Sequence, residues 1–214
     1  MAPVCGPWHN REPMTGAKIG DHICCVFHTD QEHFDIAASY IAEGLRGRQQ
    51  CLYSAASAAA LDRFKDHLAS HGLDVDEAIG TGALLAKTAR ESHLRDGEFQ
   101  SEAMLQMMGD QLESALNAGF VGLRTCGDMS WLLERPDATE DVVIYEALCS
   151  EFFRNSRAVG MCMYNRARLP PGLIDHALST HPNTFTNGRS EMNPLDRSHQ
   201  LIAAHRAIAG DHGV

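Results

Sequence analysis

The stretch Gly20-Asp-His-Ile-Cys-Cys-Val-Phe27, followed by His28-Thr-Asp-Gln-Glu-His33, decides the fold. Its first part contains a short and mostly apolar run, His22–Phe27, which predicts a buried strand. The polar run that follows holds Thr29 and Asp30, either of which can cap a helix, and apolar residues then recur at helical spacing. The stretch is therefore typical of the strand, turn and helix start of a βα unit.

The rest of the chain repeats this alternation of strands and helices. Apolar runs indicate further strands at 51–54, 83–85, 120–124, 159–164 and 184–186, the last at a sheet edge. Residues 127–131, after the run at 120–124, are expected to form a turn or loop. Helical spacing and capping residues predict helices at 57–70, 98–118, from Thr139, from Pro170-Pro171, and at 194–210. Such alternation predicts an α/β fold of three layers, with a mostly parallel sheet covered by helices on both faces.

The turn after the first strand differs from a phosphate-binding loop. P-loop proteins place glycines, a lysine and a serine or threonine between the first strand and helix. Residues 27–33 contain no glycine and no lysine, and they carry Asp30 and Glu32. The acids repel phosphates, and a backbone without glycine does not readily form an amide cradle. We therefore expect a RecA-like layout with no functional P-loop, and no ATP binding.

Composition predicts one globular domain that does not bind nucleic acid. The chain has 214 residues, of which 44% are hydrophobic, and a formal net charge of -10. Nucleic-acid-binding proteins normally present a basic face, because contacts to phosphates supply much of their affinity. We predict a flexible lead-in at 1–18, a main domain at 19–190, and a C-terminal helix and tail at 191–214.

Several features indicate a cytoplasmic protein. The seven cysteines are odd in number and widely spaced, which favours reduced thiols over a disulfide framework. The N-terminal residues lack the pattern of a secretory signal, and no apolar run is long enough for a membrane helix. We therefore expect neither secretion nor contact with a membrane.

The opening segment resembles the signature of the MEDS domain, the methanogen/methylotroph DcmR-type sensory domain. That signature is a hydrophobic or small residue, His, any residue, Cys, two hydrophobic residues and Tyr. His22 and Cys24 match it, and Phe27 stands where the family usually has Tyr. Further segments are similar to the family in the same order, so that the resemblance covers about residues 16–188. They are Ala42-Glu-Gly-Leu45, Cys51-Leu-Tyr53, Arg124 with Asp128-Met-Ser-Trp131, Tyr145-Glu146, Cys162-Met-Tyr164-Asn165 and His181-Pro182.

The resemblance implies a non-catalytic sensory domain of prokaryotic signal transduction, from a family proposed to recognise simple hydrocarbon derivatives. Family members often carry the domain beside a DNA-binding or kinase module. We expect no room for such a module here, and therefore signalling through a regulatory protein partner or through the state of a homo-oligomer. The alternative is a ligand-free adaptor that regulates a kinase, an anti-sigma factor or a transcription regulator.

His22 and Cys24 are the first candidates for a site. Two residues apart on a strand, they point to the same face and could contact a ligand or a metal together. Imidazole and thiolate suit zinc, copper or haem iron, and Cys25, Cys162 and His181 are further ligands by residue type alone. The alternative is a core histidine that is bonded to a backbone carbonyl. Cys25 should point away from Cys24 and pack in the core.

Other residues are candidates for contacts with a small-molecule ligand of unknown identity. Arg124 could pair with a ligand carboxylate, or with Asp128 or Glu146 in a structural ion pair. Aromatic residues and Met129 could line an apolar pocket, or simply belong to the core. The full set of predicted ligand-binding residues is His22, Cys24, Phe27, Arg124, Asp128, Trp131, Glu146, Cys162 and Tyr164.

A cysteine-dependent hydrolase is the less favoured alternative. Such an enzyme needs a thiol within hydrogen-bonding distance of a histidine, and an oxyanion hole. His22 and Cys24 are spaced along one strand and do not oppose each other well. Cys126 lies after a predicted strand, but the sequence shows no partner histidine for it. We therefore expect no catalysis.

Overall fold

The structure is a computed structural model, and it describes residues 16–94, 98–186 and 189–211. These residues form an α/β fold. The strands are β1 (His22–Phe27), β2 (Gln50–Ala55), β3 (Leu84–Thr88), β4 (Leu123–Asp128), β5 (Ala158–Asn165), β6 (Asn183–Thr186) and β7 (Arg189–Met192). The helices are α1 (Asp30–Arg46), α2 (Ala58–Ala69), α3 (Val75–Gly80), α4 (Ala89–Ser92), α5 (Ser101–Asn117), α6 (Thr139–Arg154), α7 (Pro171–Thr180) and α8 (Ser198–Asp211).

The strands form one sheet in the order β3-β2-β4-β5-β1-β6-β7. Every neighbouring pair is parallel except β6 and β7, which are antiparallel. The prediction of a mostly parallel sheet with helices is therefore confirmed. Because β1, β2, β4 and β5 run in the same direction, their carboxyl ends lie at one edge of the sheet.

Side chains of β1 alternate between two hydrophobic clusters. Ile23, Cys25 and Phe27 pack in a cluster with residues of α1 and α2. Cys24 and Val26 pack in another cluster, which includes residues of α5, α6 and α7. Cys24 and Cys25 thus point in opposite directions, as the strand period requires. Residues on the Cys24 side of β1 face α6.

The turn from β1 to α1 forms as the sequence predicts. Thr29 is the N-cap residue, and its side chain accepts a hydrogen bond from the amide of Glu32. Glu32 in turn accepts from the amide of His28 at 2.9 Å. Asp30 and Glu32 both lie in the first helical turn, where carboxylates interact favourably with the helix dipole.

The predicted boundaries of β4 are wrong. A strand was expected at 120–124 and a turn at 127–131, but β4 begins at Leu123 and ends at Asp128. It lies between β2 and β5 and pairs with both, so its backbone groups are satisfied even where Arg124 and Gly127 break the apolar run. A short 3-10 helix, Met129–Leu133, takes the place of the expected turn.

Three further expectations need correction. Thr139 does not cap α6, because its hydroxyl donates to the carbonyl of Pro136 in a preceding 3-10 turn. The strand β6 is not at the sheet edge, since β7 pairs with it. The helices α3 and α4 lie in a stretch where the sequence indicated no helix. Most of the predicted lead-in, residues 1–15, lies outside the described residues.

The packing of α6 on β5 gives a stability prediction. A Cβ atom at Gly160 would clash with the ring of Phe153. Because the ring has no space to retreat in a packed core, we expect Gly160→Ala to lower the free energy of unfolding by about 1–3 kcal/mol in urea denaturation. The matched control is Gly109→Ala in α5, where a Cβ meets nothing within 4 Å. It should raise stability by up to about 1 kcal/mol. Equal losses in both variants would contradict this packing.

Candidate functional site

Four chemically active side chains converge between the sheet and α6. His22 begins β1, Cys162 lies in β5, Glu146 lies on α6, and His181 directly follows α7. The atoms that each could offer to a metal all lie within 4.8 Å of one another. His22, Glu146 and His181 are buried and Cys162 is partly buried. We call these four residues the His/Glu/Cys cluster.

Local structure explains this convergence. His22 lies on the side of β1 that faces α6, and Gly160 is its partner in β5, two residues before Cys162. Strand residues two apart share a face, so His22 and Cys162 both point towards α6. The helix α7 ends at His181, and β6 then pairs with β1. This pairing brings His181 beside His22, with 3.9 Å between the ring centroids.

The carboxylate of Glu146 is the centre of the cluster. Its Oε2 atom lies 3.2 Å from Nε2 of His22 and 3.4 Å from Nε2 of His181. The same oxygen accepts a hydrogen bond from Sγ of Cys162 at 3.3 Å. The other oxygen, Oε1, accepts from the hydroxyl of Tyr164 at 2.8 Å. One oxygen therefore faces two imidazoles and one thiol.

Hydrogen-bond partners assign the tautomers of both histidines. The hydroxyl of Ser150 donates to the carbonyl of Thr180 at 2.7 Å, so towards Nδ1 of His22, at 2.8 Å, it acts as acceptor. Nδ1 of His181 lies 2.7 Å from the carbonyl of Ala177, which can only accept. Both rings therefore donate from Nδ1. In the neutral rings, Nε2 carries the lone pair.

Burial keeps the two imidazoles neutral. It lowers the pKa of His22 to about 3, and it lowers that of His181 to about 3, with the neighbouring His22 ring adding to the effect. Burial, and then the charge of Glu146, raises the pKa of Cys162 well above its usual value. Two imidazole nitrogens and one carboxylate oxygen thus face one another, and all three are hydrogen-bond acceptors. They share a single proton, that of the Cys162 thiol. Such an arrangement is suited to hold a cation.

A cavity of about 190 Å³ lies at the carboxyl ends of β1, β2, β4 and β5. It borders the first turns of α1 and α2, and we call it the edge cavity. Its lining combines two phenylalanine rings and an imidazole with two acids, one amide and two arginines. The lining residues are Phe27, Asp30, His33, Phe34, Ala56, Ser57, Ala59, Ala60, Arg63, Asp128, Ser130, Asn165 and Arg168.

His33 organises the inner wall of the edge cavity. Its ring stacks between Phe27 and Phe34, with centroid distances of 4.6 and 4.7 Å. Nε2 lies 3.9 Å from the carboxylate of Asp128, and burial lowers the pKa of His33. At the rim, Arg63 lies over the Phe34 ring. The cavity therefore offers aromatic faces next to charged groups.

The predicted site residues divide between these two places. The structure brings His22, Glu146, Cys162 and Tyr164 together in or beside the His/Glu/Cys cluster. It places Phe27 and Asp128 at the edge cavity. Cys24 shares the face of β1 with His22 but is not one of the four converging residues. Trp131 packs against Phe99 and His93 in the core.

Arg124 lies on the opposite side of the sheet from Glu146. Its Nε donates to Gln49 at 2.7 Å, Nη1 donates to the carbonyl of Tyr40 at 3.2 Å, and the nearest carboxylate is Glu43 at 3.7 Å. The predicted ion pair with Asp128 or Glu146 is therefore wrong. The alternation of β4 turns the Arg124 side chain towards α1, where it stacks on the Tyr40 ring.

Sequence reasoning missed His33, Arg63 and Ser150. His33 and Arg63 lie on separate helices, and no motif spacing connects them to Asp128 at the end of β4. Ser150 lies one helical turn after Glu146, so its position on the same face of α6 was the available signal.

The protein is therefore of the α/β class, with a buried cluster of groups that could hold a metal ion and a cavity that could hold a small molecule. The chain belongs to the MEDS family, MEthanogen/methylotroph DcmR Sensory domain, whose sequence pattern matches residues 21–182. MEDS is a family of sensory domains, which agrees with a role in signalling. Among curated proteins, no sequence gives a significant match. In the described ranges, every helix is too short or too polar to cross a membrane.

The environment of the cysteines does not favour a nucleophilic thiolate. Burial raises the pKa of Cys126 well above its usual value, and its thiol donates to the sulfur of Met163 at 3.5 Å. Burial likewise raises the pKa of Cys24. Nucleophilic cysteines need the opposite shift, since the thiolate is the reactive form. This observation agrees with membership of a sensory family.

The lone pairs that face Glu146 predict how a substitution of this residue changes stability. The measurement uses protein that has been treated with a chelator, so that no metal ion contributes. An amide at this position can donate to Nε2 of His22 or His181, whereas a carboxylate cannot. We therefore expect Glu146→Gln to raise the free energy of unfolding by about 1 kcal/mol in denaturant titrations. The control Glu151→Gln changes a partly exposed residue of the same helix and should stay within about 0.5 kcal/mol of the parent. A marked loss of stability in Glu146→Gln would indicate protonated histidines instead.

Proposed function

We propose that this chain is a sensory domain that binds a small molecule in the edge cavity, without turning it over, and signals through a protein partner. The scaffold proposed is a RecA-like arrangement of three layers that has lost its phosphate-binding loop. The observation that carries the proposal is the position of the cavity. In open α/β sheets, ligands bind outside the carboxyl ends of the strands, and the edge cavity lies there.

The start of α1 supports a ligand other than a nucleotide. In a phosphate-binding loop, backbone amides at the helix start point at the ligand. Here the amides of His28 and Glu32 are taken by side chains of the same turn. Asp30 adds a negative charge and pairs with Arg63 at 2.8 Å. The chain's own groups thus occupy the positions that a phosphate would need.

The size and lining of the cavity indicate the class of ligand. A volume of about 190 Å³ is smaller than the roughly 300–1,000 Å³ typical of sites for drug-sized ligands. Phe27 and Phe34 provide apolar contacts, while Asp128 and the exposed Arg168 provide charges. These properties fit a molecule of a few carbon atoms with one polar group, the chemistry of a simple hydrocarbon derivative.

A route to a partner starts at α2. Ala59 and Arg63 line the cavity from this helix, and Ser57 lines it from the N-cap position; all three are exposed to solvent. A ligand that draws α2 towards the sheet would therefore change the outer surface of the domain. We propose that a regulatory protein, or a second copy of the chain, binds that surface in one state only.

Thermal unfolding tests the cavity. We expect at least one compound among alcohols, amines and carboxylates of one to four carbons to raise the melting temperature, because a ligand of the folded state stabilises it. Ala59→Phe should abolish the rise by filling the cavity. Ala58→Phe, an exposed neighbour that does not line the cavity, should keep it. Stabilisation by MgATP, or an equal response of both variants, would contradict the proposal.

A further inference from the structure

We propose that His22, Glu146, Cys162 and His181 form a binding site for a divalent transition metal ion, with zinc as the best fit. The site is separate from the edge cavity and does not depend on the function proposed for it. Its ligand atoms would be Nε2 of each histidine, Oε2 of Glu146 and Sγ of Cys162.

Four of the six distances between these atoms are close to those of a tetrahedron around zinc, and the other two, both to His181, are within 4.8 Å. Zinc bonds of about 2.0–2.3 Å require neighbouring ligand atoms to lie roughly 3.3–3.6 Å apart. Oε2 of Glu146 lies 3.2 Å from His22, 3.4 Å from His181 and 3.3 Å from Cys162. Sγ of Cys162 lies 3.6 Å from Nε2 of His22. Four edges of the tetrahedron are therefore close to the required length.

The orientation of the lone pairs points to a cation. Nε2 of His181 is fully buried and has no hydrogen-bond partner within the described ranges, although it points at Glu146. Nε2 of His22 also presents a lone pair to the same oxygen. Lone pairs that face one another repel, and a metal ion between them turns this repulsion into coordination.

Partners outside the four ligands resemble the outer shell of a metal site. Metal-binding histidines almost always donate their second ring N–H to a carbonyl, carboxylate or water, which fixes the ring. His181 donates to the carbonyl of Ala177, and His22 donates to the hydroxyl of Ser150. Tyr164 donates to the oxygen of Glu146 that faces away from the site. Each ligand except Cys162 therefore has a fixed orientation.

The charges balance when the ion is bound. A divalent ion, one carboxylate, one thiolate and two neutral imidazoles sum to zero. The thiol proton of Cys162 leaves to solvent as the metal enters, which is usual for thiolate ligands. Without the ion, the buried carboxylate of Glu146 faces only neutral groups, and burial of an unpaired charge is costly. The metal would thus remove the least favourable interaction of this interior.

The ligand types select the class of metal. Two imidazoles, one thiolate and one carboxylate oxygen in tetrahedral arrangement suit zinc, and cobalt can replace it. Magnesium and calcium prefer six or more oxygen ligands, which this cluster cannot supply. Cys162 keeps some solvent exposure, so it marks the side from which the ion enters.

Metal titration of the chelator-treated protein tests the proposal. We expect one zinc ion per chain, a higher melting temperature with zinc, and a thiolate-to-cobalt charge-transfer band with cobalt. Loss of an outer partner typically costs 10–100-fold in affinity, so Tyr164→Phe should weaken zinc by roughly that factor. Cys162→Ser should weaken it by at least roughly 100-fold and remove the charge-transfer band.

Cys24→Ser is the matched control. Cys24 is buried, lies beside Cys162 in the sheet register, and is not one of the four ligands. This variant should keep both zinc affinity and the cobalt band. If Cys162→Ser does not fold, the wild-type cobalt spectrum and the Cys24→Ser result still decide the question.

Three results would overturn the site. They are no zinc uptake by the wild type, a cobalt complex without a thiolate band, and loss of the band in Cys24→Ser. The variant Ala59→Phe separates this proposal from the function of the edge cavity, because it blocks the cavity and should bind zinc like the wild type. Weak zinc binding in that variant alone would show that the two sites are not independent.

Discussion

The polar interior of this protein depends on the contacts of one buried group, the Glu146 carboxylate. That carboxylate lies between β1, β5 and the end of α7. A buried carboxylate is tolerated only with hydrogen-bond donors or a counter-charge. Tyr164 supplies one strong donor, and Cys162 supplies a weak one. His22 and His181 approach the same carboxylate through atoms that their other hydrogen bonds leave without a proton.

This arrangement constrains elements far apart in the sequence. The imidazole of His22 donates a hydrogen bond to the hydroxyl of Ser150 on α6. That hydroxyl donates to the carbonyl of Thr180 in the last turn of α7. The chain then passes from His181 into β6, which pairs with β1. A cation at the centre would therefore connect two strands and two helices of one face. The edge cavity lies at the end of the strands, near groups of α1 and α2.

The sequence predicted those parts that local patterns determine. The strand β1, the cap at Thr29 and the first turn of α1 with its two acids are each determined by residues close together in the sequence. The structure confirms all three predictions. The limits of β4 could not be found from hydrophobicity, because pairing on both sides stabilises a strand that contains Arg124 and Gly127. The partners of Arg124 could not be found either, because Glu146 lies on the other side of the sheet and the guanidinium instead contacts Gln49 and Tyr40, which are far away in the sequence.

The candidate site was only partly predictable for the same reason. His22 belonged to a recognisable signature, but the other residues of the His/Glu/Cys cluster are 124, 140 and 159 positions away, at Glu146, Cys162 and His181. No spacing rule connects them, because strand order and the packing of α6 and α7 on the sheet bring them together. Cys24 was the natural partner of His22 by sequence distance. The register instead places Cys162, from the neighbouring strand, beside the imidazole and Glu146.

The most direct measurement of the central claim is X-ray diffraction at the zinc absorption edge, from crystals of protein that was purified without a histidine tag. The account predicts one anomalous peak per chain, enclosed by His22, Glu146, Cys162 and His181, with bond lengths of about 2.0–2.3 Å. A zinc-soaked crystal with no anomalous density at that position, and with an ordered water or a direct histidine–glutamate hydrogen bond there, would contradict it.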